Sequence, residues 1–381
     1  MRIHKKYGRV FAWLLLICLM FAALSGCGGV EITIENVPGS GDDYSVQEDG
    51  KSASGSSKLE IHFLDVGQGD STLITCDGHS MLIDAGKNDW GTEIQSYLES
   101  KGIKKLDYAI GTHPDADHIG GLDVILYKFG AGSVFMPEFA KDTKTYDDVV
   151  QVIKNKNLKR LQPKVGKTYT LGGAKFTVIA PNAEYGDQAN DYSVGILLTH
   201  GKKKFLFTGD AEEDSEADIV KNGISLKADV YKVAHHGSKT ASTEALMEAV
   251  QPEYAVISVG EGNRYGHPHA EVLNRLRSMG VKVFRTDEQG TIVLKSDGRK
   301  ITWNASPSDS WKAGEPGSSS SLSGDSSGKT TYYINTNTKK FHTASCRYAP
   351  EPKADNCEKS TETISALKKK GYIPCGHCIE E

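Results

Sequence analysis

The chain has 381 residues and a formal net charge of −4, with the amino-acid composition of an ordinary globular protein. It is too long for a single average domain, so we expect one sizeable core and an accessory module. Because the charge is nearly balanced, any contact with nucleic acid must come from a local basic patch and not from the protein as a whole.

The first residues have the pattern of an export signal. Basic side chains at positions 2, 5, 6 and 9 precede the apolar run FAWLLLICLMFAAL, which is too short to span a bilayer comfortably. The following LSGC resembles a bacterial lipobox, which implies a signal peptide over residues 1–26 and a lipid on Cys27. We therefore expect an extracytoplasmic lipoprotein anchored to the cell membrane. A plain signal peptide or a short anchor is the alternative.

Two stretches of biased composition divide the remainder of the chain. Residues 27–58 are rich in Gly, Ser and acidic side chains, which predicts a flexible tether because such a segment buries too little apolar surface to fold. Residues 305–329 are rich in Ser and Gly and are predicted as a second linker. These linkers delimit a main domain over residues 59–304 and a small module over residues 330–381.

Strand patterns open the main domain in LEIHFLDVG and STLITCDGHSMLIDAG, and KKLDYAIGTH ends another strand. Helical periodicity follows in DHIGGLDVILYKF and YDDVVQVIKNKN. Further strands are predicted in KFTVIAP, SVGILLTHGKKKFLFTGD, DVYKVAHHGS, EYAVISVG and GTIVLKSDGRKITW, with helices around STEALMEAV and HAEVLNRLRSMG. This order predicts an α/β domain in which two sheets pack face to face with helices outside.

Histidines and aspartates follow several of these predicted strands. The densest group is THPDADH at positions 112–118, and LIDAG, LFTGD and KVAHHGS supply the others. Each residue alone has an ordinary explanation as a turn, a helix cap or a solvated side chain. Together they match the need of a dinuclear hydrolase for ligands gathered from distant strand ends. The candidates are Asp84, His113, Asp115, Asp117, His118, Asp210, His235 and His236.

These motifs, in this order, resemble the metallo-β-lactamase superfamily. More narrowly, FLDVGQGDSTLI, THPDADHIGGL, NDYSVGILL, VAHHGSKTA and NRYGHPHAEVL resemble the hydrolase domain of ComEC-type competence proteins and their free-standing relatives. The resemblance covers residues 59–303 and implies a four-layer αββα sandwich. No part of the chain resembles the polytopic channel that carries this domain in the competence proteins, so the resemblance does not extend to a DNA-translocating channel.

The resemblance also implies a ligand set. His113 and Asp115 would hold one divalent ion, Asp117, His118 and a histidine of HHGS the other, and Asp210 would bridge the two. We prefer His235 for the HHGS ligand because it stands nearer the strand end, and His236 is the alternative.

Three residues form the predicted catalytic set. Asp84 matches an aspartate that orients the ligands of the superfamily. His267, in RYGHPH, is the candidate for contacting the scissile phosphate or protonating the leaving group, although GHPH can also be a simple turn. The set is Asp117, His267 and Asp84.

Two departures from the superfamily pattern change the expected metal. The usual H-x-H-x-D-H has a histidine where this chain has Asp115, and the histidine that usually precedes the bridging aspartate is replaced by NDYSV, which offers Asn190, Asp191 or Ser193. Oxygen ligands in place of imidazoles make the first site harder. We therefore expect Mn²⁺ to suit the two-ion site at least as well as Zn²⁺.

Two adjacent cations with a bridging hydroxide suit phosphodiester hydrolysis. The leading interpretation is an extracytoplasmic metal-dependent hydrolase of phosphodiesters, most sharply a nuclease acting on DNA. Alternatives are a hydrolase of a phosphodiester-containing cell-wall polymer, and a catalytically weak protein that binds nucleic acid or cell wall. Asp115 and VGQGDS disfavour a β-lactamase. No protein partner is predicted.

The C-terminal module carries a second possible metal site. KKFHTASC and YIPCGHC place His342, Cys346, Cys375 and Cys378 at spacings suited to a tetrahedral zinc site. A module this small gains from a structural metal. It resembles the zinc-binding domain of the DNA repair protein Ada, with histidine replacing the first cysteine, which implies one structural Zn²⁺. Two disulfides are the alternative, because export favours them and Cys357 raises the local cysteine count to four.

Overall fold

Two β-sheets lie face to face between two layers of helices. The structure, a computed structural model, describes residues 57–314, 331–343, 356–362 and 364–375. The predicted signal peptide, the lipidation of Cys27 and nearly all of the tether therefore lie outside the described residues. Within the described part of the chain, no helix is both long and apolar enough to cross a membrane.

Fifteen strands build the two sheets. They are β1 (Leu59–Phe63), β2 (Thr72–Cys76), β3 (His79–Ile83), β4 (Leu106–Ile110), β5 (Ala131–Phe135), β6 (Arg160–Leu161), β7 (Thr168–Leu171), β8 (Ala174–Val178), β9 (Ile196–His200), β10 (Lys203–Phe207), β11 (Val230–Lys232), β12 (Tyr254–Ile257), β13 (Lys282–Arg285), β14 (Ile292–Ser296) and β15 (Ile301–Trp303). The first sheet has the order β15-β14-β1-β2-β3-β4-β5-β6, and the second has the order β13-β12-β11-β10-β9-β8-β7.

Helices cover the outer face of each sheet. They are α1 (Gly91–Ser100), α2 (Ala116–Ile119), α3 (Leu122–Phe129), α4 (Lys144–Asn155), α5 (Glu213–Lys221), α6 (Glu244–Val250), α7 (Ala270–Ser278) and α8 (Thr286–Gln289). Short 3₁₀ turns occupy Asn88–Trp90, Ala189–Tyr192 and Ala234–Gly237.

The main domain has three hydrophobic cores, and alternate side chains of one strand belong to different cores. Ile74 and Met81 belong to the core between the sheets, whereas their neighbours Leu73 and Leu82 pack with α1 and α3 on the outer face. Successive side chains of a strand point to opposite faces, so apolar residues at adjacent positions bury both faces of the sheet. A third core lies between the second sheet and α5, α6 and α7. The predicted four-layer αββα architecture is confirmed.

Residues 305–314 pack on the main domain, although we predicted them as the start of a linker. The Ser308 N–H donates to the Val283 carbonyl (2.7 Å), and Arg285 donates to the Lys312 carbonyl (2.6 Å). Trp311 packs against the core beneath α7, and the Gly314 N–H donates to the Pro268 carbonyl (2.9 Å). The main domain therefore extends at least to residue 314.

The described part of the C-terminal module forms a third sheet. Its strands are β16 (Tyr332–Asn335), β17 (Lys340–Thr343), β18 (Cys357–Ser360) and β19 (Ile373–Pro374), with helix α9 (Ile364–Lys369). The sheet order is β18-β16-β17-β19, and Ile334, Phe341 and Leu367 form a small core.

Two of the four predicted zinc ligands of this module fall in the described residues. Phe341 pairs with Pro374 on the parallel neighbouring strand, and the Cys375 N–H donates to the Phe341 carbonyl (3.0 Å). His342 and Cys375, the next residue on each side, therefore occupy equivalent positions of the two strands. Both are buried. Cys346 and Cys378 lie outside the described residues, so the zinc site stays a prediction.

Candidate metal centre

The candidate ligands meet because they follow strands that run side by side. Asp84 follows β3, and THPDADH follows β4, which lies parallel to β3. In the second sheet, Asp210 follows β10 and the histidine pair follows β11, again parallel neighbours. Since the carboxyl ends of parallel strands share one edge of a sheet, four separate loops converge at one end of the sandwich.

Asp84 holds the first-sheet loops in place. It adopts a positive φ of 58° and is almost fully buried. One carboxylate oxygen accepts from the Thr112 N–H (2.8 Å), and the other accepts from the Thr112 hydroxyl (2.7 Å) and His118 Nδ1 (2.8 Å). A histidine whose Nδ1 donates to a carboxylate can offer the lone pair of Nε2 to a metal ion, which displaces the Nε2 proton when it binds. Asp84 thus orients His118.

Several buried polar atoms of the cluster have no hydrogen-bond partner. His118 Nε2 lies 3.2 Å and His236 Nε2 3.5 Å from the Asp210 carboxylate, yet neither nitrogen makes a hydrogen bond, and Asp210 Oδ1 is unpartnered as well. Short distances without hydrogen-bond alignment mean that these atoms point to common positions instead of to one another. An unpaired buried polar atom is costly, and a cation between them removes that cost.

The candidate ligands form overlapping sets of three residues, and in each set the ligand atoms all lie within 4.8 Å of one another. Asp117, His118 and His236 form one set, and His113, His118 and Asp210 form another. Asp210 also shares a set with His236, so its carboxylate stands between the two groups. Nitrogen and carboxylate ligands in this arrangement fit two divalent cations.

His236, and not His235, belongs to these sets among the described residues. Both histidines have a positive φ, which turns the chain sharply after β11. His236 Nδ1 donates to the Ser258 carbonyl (2.9 Å), which aims Nε2 into the cluster. His235 Nδ1 instead lies 2.8 Å from Glu212. The geometry therefore favours His236 as the ligand, contrary to our preference for His235.

Asp115 stands at the rim of the site and outside the ligand sets. Its carboxylate forms an ion pair with Lys141 (2.6 Å), and its side chain is 31% exposed. The structure therefore gives the His113 side of the site fewer converging ligands than we predicted. Asp115 can join that site only if its carboxylate leaves Lys141.

None of the NDYSV residues takes the position of the missing histidine. Asp191 accepts from the Glu212 N–H (2.9 Å) and the Ser215 N–H (3.4 Å), so it anchors the start of α5. The Ser193 hydroxyl accepts from the Asp210 N–H (3.0 Å), which positions the bridging candidate. Asn190 lines the cavity above the cluster.

A buried ion pair lies beneath the centre, and our sequence reasoning did not find it. Lys232, at the end of β11, donates to Asp70 (2.9 Å), and both side chains are buried. Asp70 also shares ligand sets with Asp210 and His236. The available signal was a lysine in the otherwise apolar strand VYKVA, because a charged side chain is seldom buried without a partner.

His267 approaches the cluster from the loop before α7. Its ring centroid lies 5.4 Å from His235 and 6.2 Å from His236, and its Nδ1 is buried without a hydrogen-bond partner. A cavity of about 140 Å³ separates this loop from the first-sheet loops. The residues that line it are Gln68, His113, Asp115, Asp117, Asn190, Asp210, His235, His236, Tyr265 and His267.

Burial and neighbouring charges set the protonation of the site. Burial alone would lower the pKa of His118, but the Asp210 and Asp84 carboxylates raise it well above its ordinary value. Burial would raise the pKa of Asp210, but His118 and His236 lower it. Burial lowers the pKa of His113 to about 4 and that of His267 to about 3, with nearby histidines adding to the effect. Both imidazoles are therefore neutral at neutral pH.

Comparisons with known proteins identify the family to which this fold belongs. A family model described as the metallo-beta-lactamase superfamily matches residues 64–261. The chain is similar to ComE operon protein 3 of Bacillus subtilis, at 32% identity over 66% of this chain and 35% of that protein. It is similar to Recombination protein 2 of Haemophilus influenzae, at 32% identity over 61% of this chain and 28% of that protein.

The chain thus spans about a third of the length of these relatives. Among solved structures, the metallo-beta-lactamase fold protein YhfI from Bacillus subtilis aligns with a TM-score of 0.43 at 14% identity, over 63% of this chain and 100% of that chain. The RYGHPH loop lies beyond the residues that the family model matches.

Proposed function

The chain belongs to the metallo-beta-lactamase superfamily of metal-dependent hydrolases, and from this premise we propose that it hydrolyses phosphodiesters and acts on DNA. The observation that carries the proposal is the convergence of buried, unpartnered ligand atoms of His118, His236 and Asp210 at one end of the sandwich. Two divalent ions bound there would activate water and neutralise charge on a phosphoryl group.

The protein's own residues supply the remaining parts of such a reaction. Asp117, His118 and His236 would hold one ion, His113 would hold the other, and Asp210 would contribute to both. Asp84 accepts from His118 Nδ1 and so leaves Nε2 to face these positions. The neutral His267 offers an imidazole N–H to a phosphoryl oxygen. Its low pKa favours this contact over protonation of the leaving group, unless the bound anion raises that pKa.

The relatives support a phosphodiester over a lactam. The ligands that converge in the described part of the chain are three histidines and two aspartates, His113, His118, His236, Asp117 and Asp210, and such a mixed set suits Zn²⁺ as well as Mn²⁺. The resemblance to competence-type hydrolase domains is confirmed by these relatives, and the name of Recombination protein 2 refers to a process that acts on DNA. For this chain, cleavage of DNA is the proposal that follows.

The direct test uses the full chain loaded with Mn²⁺ or Zn²⁺ and assayed on plasmid DNA and bis-p-nitrophenyl phosphate. We expect cleavage of both by the parent and loss of both in Asp117→Asn. Asp148→Asn is the matched control, because Asp148 lies on α4 in an exposed ion pair with Lys144. A parent that retains no metal after dialysis and cleaves neither substrate would contradict the proposal.

Two further proposals concern the parts of the chain flanking this domain. Lipid anchoring at Cys27 predicts that Cys27→Ser releases the protein from the membrane fraction of the cell. A structural Zn²⁺ in the C-terminal module is supported by the burial of His342 and Cys375 on neighbouring strands. It predicts one zinc ion per chain that Cys375→Ser removes without changing the metal content of the main site.

A further inference from the structure

Tyr265 is a large aromatic side chain exposed at the mouth of the cavity. It is 43% exposed, although it lines the same cavity as His236 and His267. In the described ranges, Tyr127 is the other exposed aromatic side chain, and it lies on α3, against Lys156. A single exposed aromatic side chain is ordinary on a protein surface, so what distinguishes Tyr265 is its position at the candidate metal centre.

Stacking within its loop leaves part of the Tyr265 ring open. The ring stacks on His267 with centroids 5.6 Å apart and planes at 22°. Arg264 donates to the Tyr265 hydroxyl (2.9 Å), and its guanidinium carbon lies over the ring, 5.0 Å from the centroid. Since Tyr265 is 43% exposed despite these two contacts, part of the side chain stays open, with a positive charge close to it.

Asn263 holds this loop in shape without a ligand. Its side-chain oxygen accepts from the Tyr265 N–H (3.1 Å) and the His267 N–H (3.0 Å), and its amide donates to the Gly260 carbonyl (3.0 Å) and the His267 carbonyl (2.6 Å). Asn263 is itself buried. A surface that is already ordered loses little conformational freedom when it binds a ligand.

We propose that Tyr265 is a stacking platform for an unpaired nucleobase adjacent to the scissile phosphate, so that the preferred substrate is single-stranded nucleic acid. The proposal rests on the phosphodiesterase function proposed above. A flat aromatic face takes any base, and a guanidinium beside it favours the negatively charged backbone. A base inside a duplex is stacked on its neighbours and presents no free face to Tyr265.

The test compares a single-stranded oligonucleotide with a strand of the same length that carries abasic sites, using the full chain with Mn²⁺. For the parent we expect a KM about tenfold lower on the base-bearing strand. Tyr265→Ala should abolish this preference, whereas Tyr265→Phe, which keeps the ring, should retain it. Tyr127→Ala is the control for loss of an exposed aromatic side chain, and it should retain the preference as well.

Three results would overturn the platform. The first is a Tyr265→Ala variant that keeps the parent's preference for the base-bearing strand, and the second is a parent that cleaves duplex as readily as single strand. A uniform fall in kcat on both strands without a change in their KM ratio would assign Tyr265 a purely structural role and would also overturn it.

Binding without turnover separates this proposal from the hydrolase function. Fluorescence anisotropy in a chelator measures the affinity of the same two strands for the protein. If the parent cleaves nothing but binds the base-bearing strand more tightly in a Tyr265-dependent way, the hydrolase proposal fails and the platform stands. If no base-dependent affinity is found in either assay, the platform fails whatever the activity.

Discussion

Replacing Asp84 by asparagine tests whether this residue controls the metal-binding nitrogen of His118. The Asp84 carboxylate accepts three hydrogen bonds, one on Oδ1 from the Thr112 N–H and two on Oδ2 from the Thr112 hydroxyl and His118 Nδ1. An amide can supply only one oxygen. In Asp84→Asn, one side of the group must therefore present an NH₂ to a neighbour that now donates.

Both orientations of the new amide weaken metal binding. If NH₂ faces His118, Nδ1 must accept, the proton moves to Nε2, and the lone pair that would bind the metal is lost. If NH₂ faces the Thr112 N–H, two buried donors oppose each other at a cost of about 1–3 kcal/mol. We expect Asp84→Asn to bind Mn²⁺ or Zn²⁺ about 10- to 100-fold more weakly.

Competition with a fluorescent chelator measures this affinity directly, and unfolding in the absence of metal measures any separate loss of stability. Asp107→Asn is the matched control, since Asp107 also accepts from a backbone N–H, that of Ser80 (2.8 Å), and from a histidine, His79 (3.1 Å), but is 40% exposed. If Asp84→Asn binds the ions as tightly as the parent, the tautomer argument is wrong.

Three further predictions address burial, charge and ligand identity. Burial raises the pKa of Glu216 to about 7 from 4.5. Because the unfolded chain loses this proton at a lower pH than the folded protein, the free energy of unfolding should fall by up to about 3 kcal/mol as the pH rises between these two pKa values. Glu216→Gln should remove this pH dependence, which urea unfolding at a series of pH values measures. Lys232→Met leaves Asp70 buried without its cation and should destabilise the metal-free protein by about 3–5 kcal/mol in urea, and adding Asp70→Asn should restore most of the loss. His236→Ala should lower the bound metal measured by mass spectrometry after dialysis, whereas His235→Ala should retain it, because only His236 joins the ligand sets of the described residues.

The layered architecture was readable from sequence because it depends on local pattern. Adjacent apolar positions such as Leu73 and Ile74 show that both faces of a strand are covered, and helical periodicity in α3 and α4 identifies the covering layer. Residue types that ligate metal are also visible without a structure. Their position after predicted strands sufficed to nominate the loops that meet at the site.

The boundary of the main domain was not readable in the same way. Residues 305–314 have the Ser- and Pro-containing composition of a linker, yet Trp311 and backbone hydrogen bonds attach them to β13 and the loop before α7. Composition reports only how much apolar surface a segment can bury. The packing of Trp311 and the hydrogen bonds to the edge strand β13 and to the loop before α7 order this segment, and local composition shows none of these contacts.

By itself, the sequence determined the αββα sandwich and the set of histidines and aspartates from which a metal centre is built. Tertiary structure decided which of two adjacent histidines turns inward, that Asp115 pairs with Lys141, and that Lys232 meets Asp70 across the two sheets. The physical reason is that alternation and periodicity act between near neighbours in the chain. The orientation of a ligand is set instead by single hydrogen bonds, such as that from His236 to the Ser258 carbonyl, which form only after distant strands have packed.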